Sequence, residues 1–286
     1  MTPLRAKMIE AMQVRGFSPR THQSYLAAVA GLAGFYGRSP DTLTLDEVRD
    51  YLVYLVVTRK LAAASCRVAL HGVRFFFLQV QGRREFDVTI PVPKRPQRIP
   101  ELLTQKEVER ILAATANPKQ HALLATCYGC GLRVTELVGL KVRHLDGDRN
   151  LLRVDQGKGA KDRNVTLKPA LLAELRQYWK GYRPADWLFP GRQDGSPISV
   201  STAQKVFARA KAKAGIAKVG GIHSLRHAYA THQLASGLSV PKLQHQLGHR
   251  SLQSTLRYVH WVPDYAEGKG VADLLAALAA QEVDHD

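Results

Sequence analysis

The chain has 286 residues, enough for two ordinary domains, and its hydrophobic fraction of 45% is that of a globular protein with a buried core. Lysine plus arginine number 41 against 24 acidic residues, a net charge of +17 that folding does not require and that points to a polyanionic partner, nucleic acid or an anionic membrane. No apolar run reaches the roughly 18 residues of a bilayer span, no signal-like leader opens the chain, and Cys66, Cys127 and Cys130 are too few for a disulfide framework, so a reducing, cytoplasmic setting is expected.

Residues 1–89 are predicted to be all-helical. Ser18 before Pro19 is a helix start, a capping hydroxyl followed by a proline where no N–H bond is needed. Tyr25, Val29, Leu32 and Tyr36 then recur at helical spacing. Thr44 and Glu47 form a capping box ahead of Val48, Leu52 and Leu55. A further helix is predicted from Ala62 to Val80, with Val68, Leu70, Val73 and Phe77 as core. Residues 90–100 carry four prolines, which block helix and interior strand, so this stretch reads as a linker. Its Lys94, Arg95 and Arg98 could track a phosphate backbone.

Residues 101–286 open on a second capping box, Thr104 with Glu107. Helices are predicted near 104–115, 118–128, 133–139, 169–180, 200–214, 223–236, 240–247, 251–258 and 264–280. Leu151–Asp155 and Arg163–Leu167 alternate as strands, with 156–162 as their hairpin turn.

Four stretches could carry chemistry. In Gly131–Leu137 a glycine ends one helix and Arg133 stands at the start of the next, where its planar fork, the helix dipole and free N–H groups suit a phosphate. Glu136 is close enough to hold that arginine. Gly157–Lys158–Gly159 puts a lysine at the hairpin tip; it lacks the spacing and the Ser/Thr of a nucleotide-binding loop. His223, Arg226 and His227 share a helix face. The two histidines have metal-ligand spacing, but no glutamate follows His223 and no third ligand is evident, so no metal site is assigned. Tyr258 is a candidate nucleophile whose deprotonation at neutral pH costs roughly 4 kcal/mol, which converging cations can offset. Cys127-x-x-Cys130 closes a helix and reads as small residues at a tight turn.

In order, Gly-Leu-Arg-x-x-Glu-Leu, Gly-Lys-Gly-x-Lys-x-Arg, His-x-Leu-Arg-His-x-x-Ala-Thr, Leu-Gly-His-x-Ser and Thr-x-x-Tyr-x-His closely resemble the motifs of the tyrosine recombinases, the family of phage integrases and Xer-type resolvases. The resemblance covers Leu103 to Val262 and extends more weakly to the N-terminal module through Ser18, Thr21 and Tyr25. It implies a mainly α fold in two domains: an all-α core-binding domain over 1–89, and an α-rich catalytic domain over 101–286 with a small antiparallel β-sheet. It also implies that Arg133, Lys158, His223, Arg226, His249 and Tyr258 are catalytic, that Glu136 is a supporting acid and that His227 is structural. Lys161 and Arg163 join Lys94, Arg95 and Arg98 as expected DNA contacts.

The chemistry implied needs no cofactor or metal. Tyr258 attacks the scissile phosphate, the arginines and histidines stabilise the added charge, and Lys158 protonates the departing 5′-hydroxyl. Partners implied are double-stranded DNA with specific recombination sites and, in synapsis, three further copies of the chain, the helix near 264–280 docking on a neighbour. The segment after Tyr258 is short and no large insert precedes His223, a departure from integron integrases. A type IB topoisomerase would share the chemistry but relax DNA as a monomer, and a regulator of the same fold would form no covalent adduct. A relaxase with a tyrosine nucleophile would need a His-x-His pair, which the sequence lacks.

Overall fold

A computed structural model of the chain describes residues 2–89, 100–155, 162–193 and 195–262. The chain divides into two compact units, Met1–Arg98 and Ile99–Asp286.

The first unit is helical throughout its described length. Helix α1 (Pro3–Val14) precedes α2 (Pro19–Tyr36), whose N-cap Ser18 accepts the Thr21 amide at 3.2 Å. Helix α3 (Leu45–Val57) starts on the reciprocal box in which the Thr44 amide donates to Glu47 at 2.8 Å and the Glu47 amide to Thr44 Oγ1 at 3.3 Å. Helix α4 (Ala63–Phe75) runs on into a π-turn at Phe76–Val80. Helices α2 and α4 lie so close that a Cβ on Gly72 would sit 3.0 Å from Ala28 Cβ and 3.1 Å from Tyr25 Cα. Met8, Met12, Leu32, Val48, Leu52, Val73, Phe76 and Phe77 fill the core. Val68, which the helical spacing assigns to that core, is instead exposed. The inner face of α4 is Cys66, Ala69, Leu70 and Val73, and Val68 points the other way.

In the second unit, α5 (Gln105–Ala113) opens on the Thr104–Glu107 box, with hydrogen bonds of 2.7 and 3.2 Å. Helix α6 (Pro118–Gly129) is the buried axis: Ala122 through Cys127 are all buried, and α5, α8 (Pro169–Tyr182), α9 (Val200–Lys213) and α10 (His223–Ala235) pack around it. Between α6 and α8 come α7 (Val134–Val138) and a three-stranded antiparallel sheet, β1 (Leu145–Asp146), β2 (Leu151–Val154) and β3 (Arg163–Thr166), in that order. Leu152 pairs with Val165 and Val154 with Arg163, so Leu152, Val154 and Val165 face the core together. Strand β1 is absent from the sequence expectation. After α10, helices α11 (Val240–Leu247) and α12 (Gln253–Val259) close over Tyr229, Leu234, Leu243, Leu247 and Tyr258. The helix expected near 264–280 lies outside the described residues. Among the described residues, no helix is long and apolar enough to cross a membrane.

Candidate active site

The site begins where α6 stops. Gly131 has φ +61°, a left-handed conformation natural to glycine, and a Cβ there would run into the Tyr229 ring. The turn delivers Arg133 as the residue capping α7, with Glu136 three positions on. The Glu136 carboxylate accepts the Arg133 amide at 2.9 Å and Arg133 Nη1 at 2.8 Å. Arg133 therefore stands at a helix start with its backbone and side chain both fixed by one carboxylate.

That carboxylate is also held by Arg163 of β3, whose Nη1 and Nη2 each lie 2.9 Å from it. Burial of Glu136 favours the neutral acid, but the hydrogen bonds and charge of Arg163 and the bonds from Arg133 reverse this, bringing its pKa down to about 2. Arg163, expected to reach DNA, is thus turned inward with a side chain only 7% exposed. Period-two alternation accounts for this: Arg163 shares the inner face of β3 with Val165.

Arg226, on α10, is 1% exposed, and two main-chain carbonyls hold it: Nη1 donates to Gly131 O and Nη2 to Leu247 O, both at 2.7 Å. Burial and the nearby Arg133 charge lower its pKa to about 10, which leaves it charged. Its Nη2 also lies 3.0 Å from Nε2 of His249, and His249 Nδ1 lies 2.8 Å from Thr255 Oγ1. Arginine can only donate, so His249 Nε2 accepts, and its proton sits on Nδ1 and is donated to Thr255. Burial, followed by the charges of Arg226 and Arg133, lowers His249 to about 4, so the ring is neutral at pH 7. His223 is the solvent-open member of the group; its ring meets His227 edge-on at 4.5 Å. The part of that ring covered by protein, then the charges of Arg226 and Arg133, lower its pKa as well.

Tyr258 is 2% exposed, in a box of rings. His249 lies parallel to it at 6.1 Å, Trp261 edge-on at 5.1 Å and His227 at 5.6 Å. The Tyr258 hydroxyl is 3.1 Å from His227 Nδ1. Burial, then the charges of His223 and Arg226, bring His227 to about 4, so the imidazole is neutral and its unprotonated nitrogen can accept the phenol proton in a hydrogen bond. Converging cations are expected to ease deprotonation of Tyr258; here burial outweighs Arg226, Arg257 and Arg133, and its pKa is raised.

Arg133, Glu136, His223, Arg226, His227, His249 and Tyr258 therefore meet in one cluster drawn from α7, α10, α12 and the turn after α11. Lys158 and Lys161, and Lys94, Arg95 and Arg98 of the linker, lie outside the described residues. On β2, Arg153 pairs with Asp155 at 2.6 Å and with Asp162 at 2.9 Å, the acids that end and begin the described residues on either side of 156–161. Sequence spacing did not single out Trp261, and it gave neither Thr255 of the Thr-x-x-Tyr-x-His motif nor Arg163 its structural use, because their partners are set by tertiary packing. Cys127 and Cys130 are buried and their thiols pushed up to about 12, which makes them inert packing groups. Among the described residues, no group of three or more histidines, cysteines or acids gathers as a metal site would require.

Residues 101–263 match the phage integrase family, and residues 4–85 match the phage integrase N-terminal SAM-like domain. The Sinorhizobium fredii protein y4qK, named an integrase/recombinase, is 44% identical over 260 residues, covering 91% of this chain and 84% of its own. A tyrosine recombinase of Pseudothermotoga lettingae is 34% identical over 264 residues, covering 88% and 91%. Among solved structures, a lambda integrase dimer bound to a COC′ core site superposes with a TM-score of 0.71 over 88% of this chain and 95% of that one, at 19% identity, a likeness of fold.

Proposed function

The chain belongs to the phage integrase family, and from that premise we propose that the cluster around Tyr258 is its catalytic site. The protein is a tyrosine recombinase, an enzyme that breaks and rejoins DNA strands at specific sites. In the proposed reaction the Tyr258 oxygen attacks the scissile phosphorus in line, forming a 3′-phosphotyrosyl bond and breaking the bond to the 5′-oxygen. Lys158 donates a proton to that leaving oxygen. Arg133 and Arg226 stabilise the charge that builds on the non-bridging oxygens, worth several kcal/mol in a water-excluded site. The bond energy is kept in the phosphotyrosine, so the 5′-hydroxyl of a partner strand reverses the step, releases Tyr258 and completes strand exchange without a nucleotide.

The observation that carries this reading is the convergence of Arg133, Arg226, His249 and Tyr258 from segments up to 125 residues apart. Tyr258 and Arg226 are both shut off from solvent, so the phosphate reaches them only after the ring box opens; cleavage would then be coupled to DNA binding. The unit Met1–Arg98 would act as the core-binding clamp, which its basic balance and its match to the family's N-terminal domain support. Strand exchange would take place in the cytoplasm, in a tetramer of this chain on two duplexes. The naming of its relatives as integrase/recombinase supports a role in moving a mobile element.

The test is covalent capture on fragmented genomic DNA that includes the flanks of the gene, carried out in EDTA, followed by mapping of the attached ends. Wild type is expected to leave a 3′-linked adduct at discrete positions, and Tyr258→Phe to bind the same DNA without an adduct. An adduct that persists in Tyr258→Phe, or none with wild type, overturns the assignment.

A further inference from the structure

We propose that Arg163 is a positioning residue for the cleavage step, one that saturates Glu136 so that the fork of Arg133 stays free for the phosphate; this rests on the proposed role of Arg133. An ionised carboxylate offers about four lone-pair sites. Those of Glu136 take four donors: Nη1 and Nη2 of Arg163 at 2.9 Å each, Nη1 of Arg133 at 2.8 Å and the Arg133 amide at 2.9 Å. Arg133 thereby spends one terminal nitrogen inside the protein, on Glu136 and at 3.4 Å on Leu247 O. Among the described residues, its Nε and Nη2, the pair that can grip a phosphate side-on, donate to no protein acceptor. Removal of Arg163 would open two carboxylate sites beside the two arginines of the site. Arg133 already touches the carboxylate, and Arg226 Nη1 stands 3.8 Å from it. A carboxylate so exposed competes with the phosphate for the same guanidinium groups.

The remaining nitrogen of Arg163 ties the other side of the site. Its Nε donates to Gln246 O at 3.0 Å, and the Gln246 side chain bonds the Thr166 amide at 3.1 Å and Thr166 Oγ1 at 2.7 Å. Gly248, with φ +61°, leaves room for the guanidinium: a Cβ there would lie 2.8 Å from it. One side chain at the start of β3 thus fixes the acid behind Arg133 and the end of α11, just before His249. At 7% exposure Arg163 has no face for DNA.

The experiment uses the full chain and a duplex of the captured sequence, nicked beside the cleaved phosphodiester so that the adduct is trapped. Single-turnover cleavage at saturating DNA and the DNA Kd are measured for wild type, Arg163→Met, Arg163→Lys and the double variant Arg163→Met with Glu136→Gln, with circular dichroism as the check on folding. Arg163→Met is expected to slow cleavage by about 100-fold, the scale of a misplaced catalytic group, with Kd within about threefold of wild type. The double variant is expected to cleave at least about tenfold faster than Arg163→Met, because a neutral side chain no longer competes for Arg133. Wild-type rate in Arg163→Met, a parallel loss of Kd, or a double variant no faster than the single one overturns the proposal. If Arg163→Met does not fold, Arg163→Lys decides: a lysine cannot hold both oxygens side by side, so about tenfold slower cleavage at unchanged Kd is expected, and an unchanged rate overturns it. Absence of an adduct with wild type would instead overturn the Tyr258 assignment, and this inference with it.

Discussion

Replacing Glu136 by glutamine should remove a pH-dependent part of the stability of the catalytic unit. The carboxylate is held near pKa 2 in the folded chain against an ordinary 4.5. That difference corresponds to about 3 kcal/mol, an order-of-magnitude figure. Because the folded pKa is the lower one, the contribution is fully present above about pH 4.5 and is lost as pH falls toward about 2. By about pH 3.5, about 1 kcal/mol of it should be gone. The assay is urea denaturation followed by tryptophan fluorescence. Trp179, Trp187 and Trp261 all lie in the second unit, so the signal reports that unit alone. Other carboxylates titrate in both proteins and cancel in the difference. The gap between wild type and Glu136→Gln should therefore shrink by about 1 kcal/mol between about pH 6 and 3.5. A gap that stays constant across that range would show that Glu136 is not held ionised by Arg163 and Arg133.

Three further outcomes follow from the site geometry. Gly131→Ala meets both a left-handed backbone and the Tyr229 ring, so a loss of about 2–4 kcal/mol is expected in the same fluorescence assay; a loss under about 0.5 would contradict the turn geometry. Thr255→Val keeps the shape of a residue that is 0% exposed but removes the acceptor for His249 Nδ1. Cleavage should then slow about tenfold with DNA affinity intact, as for other groups that orient a histidine, whereas an unchanged rate would show that the contact is idle. His227 and His249 are both held at about 4, so neither should put an inflection in the cleavage rate between about pH 6 and 8. An inflection near 6.5 that disappears in His249→Asn would show that the ring is less buried in the working enzyme.

Features that depend on near neighbours in the chain were legible in the sequence. The Thr44–Glu47 and Thr104–Glu107 boxes and the Arg133–Glu136 pair each join residues three apart, so one helical turn decides them. The periodic helices were legible for the same reason. Val68 misled because the buried face of α4 includes Cys66, Ala69 and Gly72, small residues whose burial is not announced by bulk, and Gly72 is where α4 meets α2. Strand β1 has two residues, too few for alternation to show. Arg163 finds its acid 27 positions away and Tyr258 meets His227 31 positions away, contacts that packing rather than local pattern decides. The raised pKa of Tyr258 was hidden for a related reason: counting nearby cations is possible from motifs, but the depth at which a ring is buried depends on which other rings close over it.

The two carbonyls that hold Arg226 bear on how this site can vary. Gly131 O and Leu247 O belong to the main chain, and no side-chain replacement deletes a main-chain oxygen. Point mutations that drift through the neighbouring positions can alter packing, charge and DNA preference while the anchors of this guanidinium persist. Only changes that bend the turn after α6 or the end of α11 can displace it. An engineer who wishes to retarget the enzyme can therefore treat the arginine as part of the backbone, and the side chains around it as the variable part.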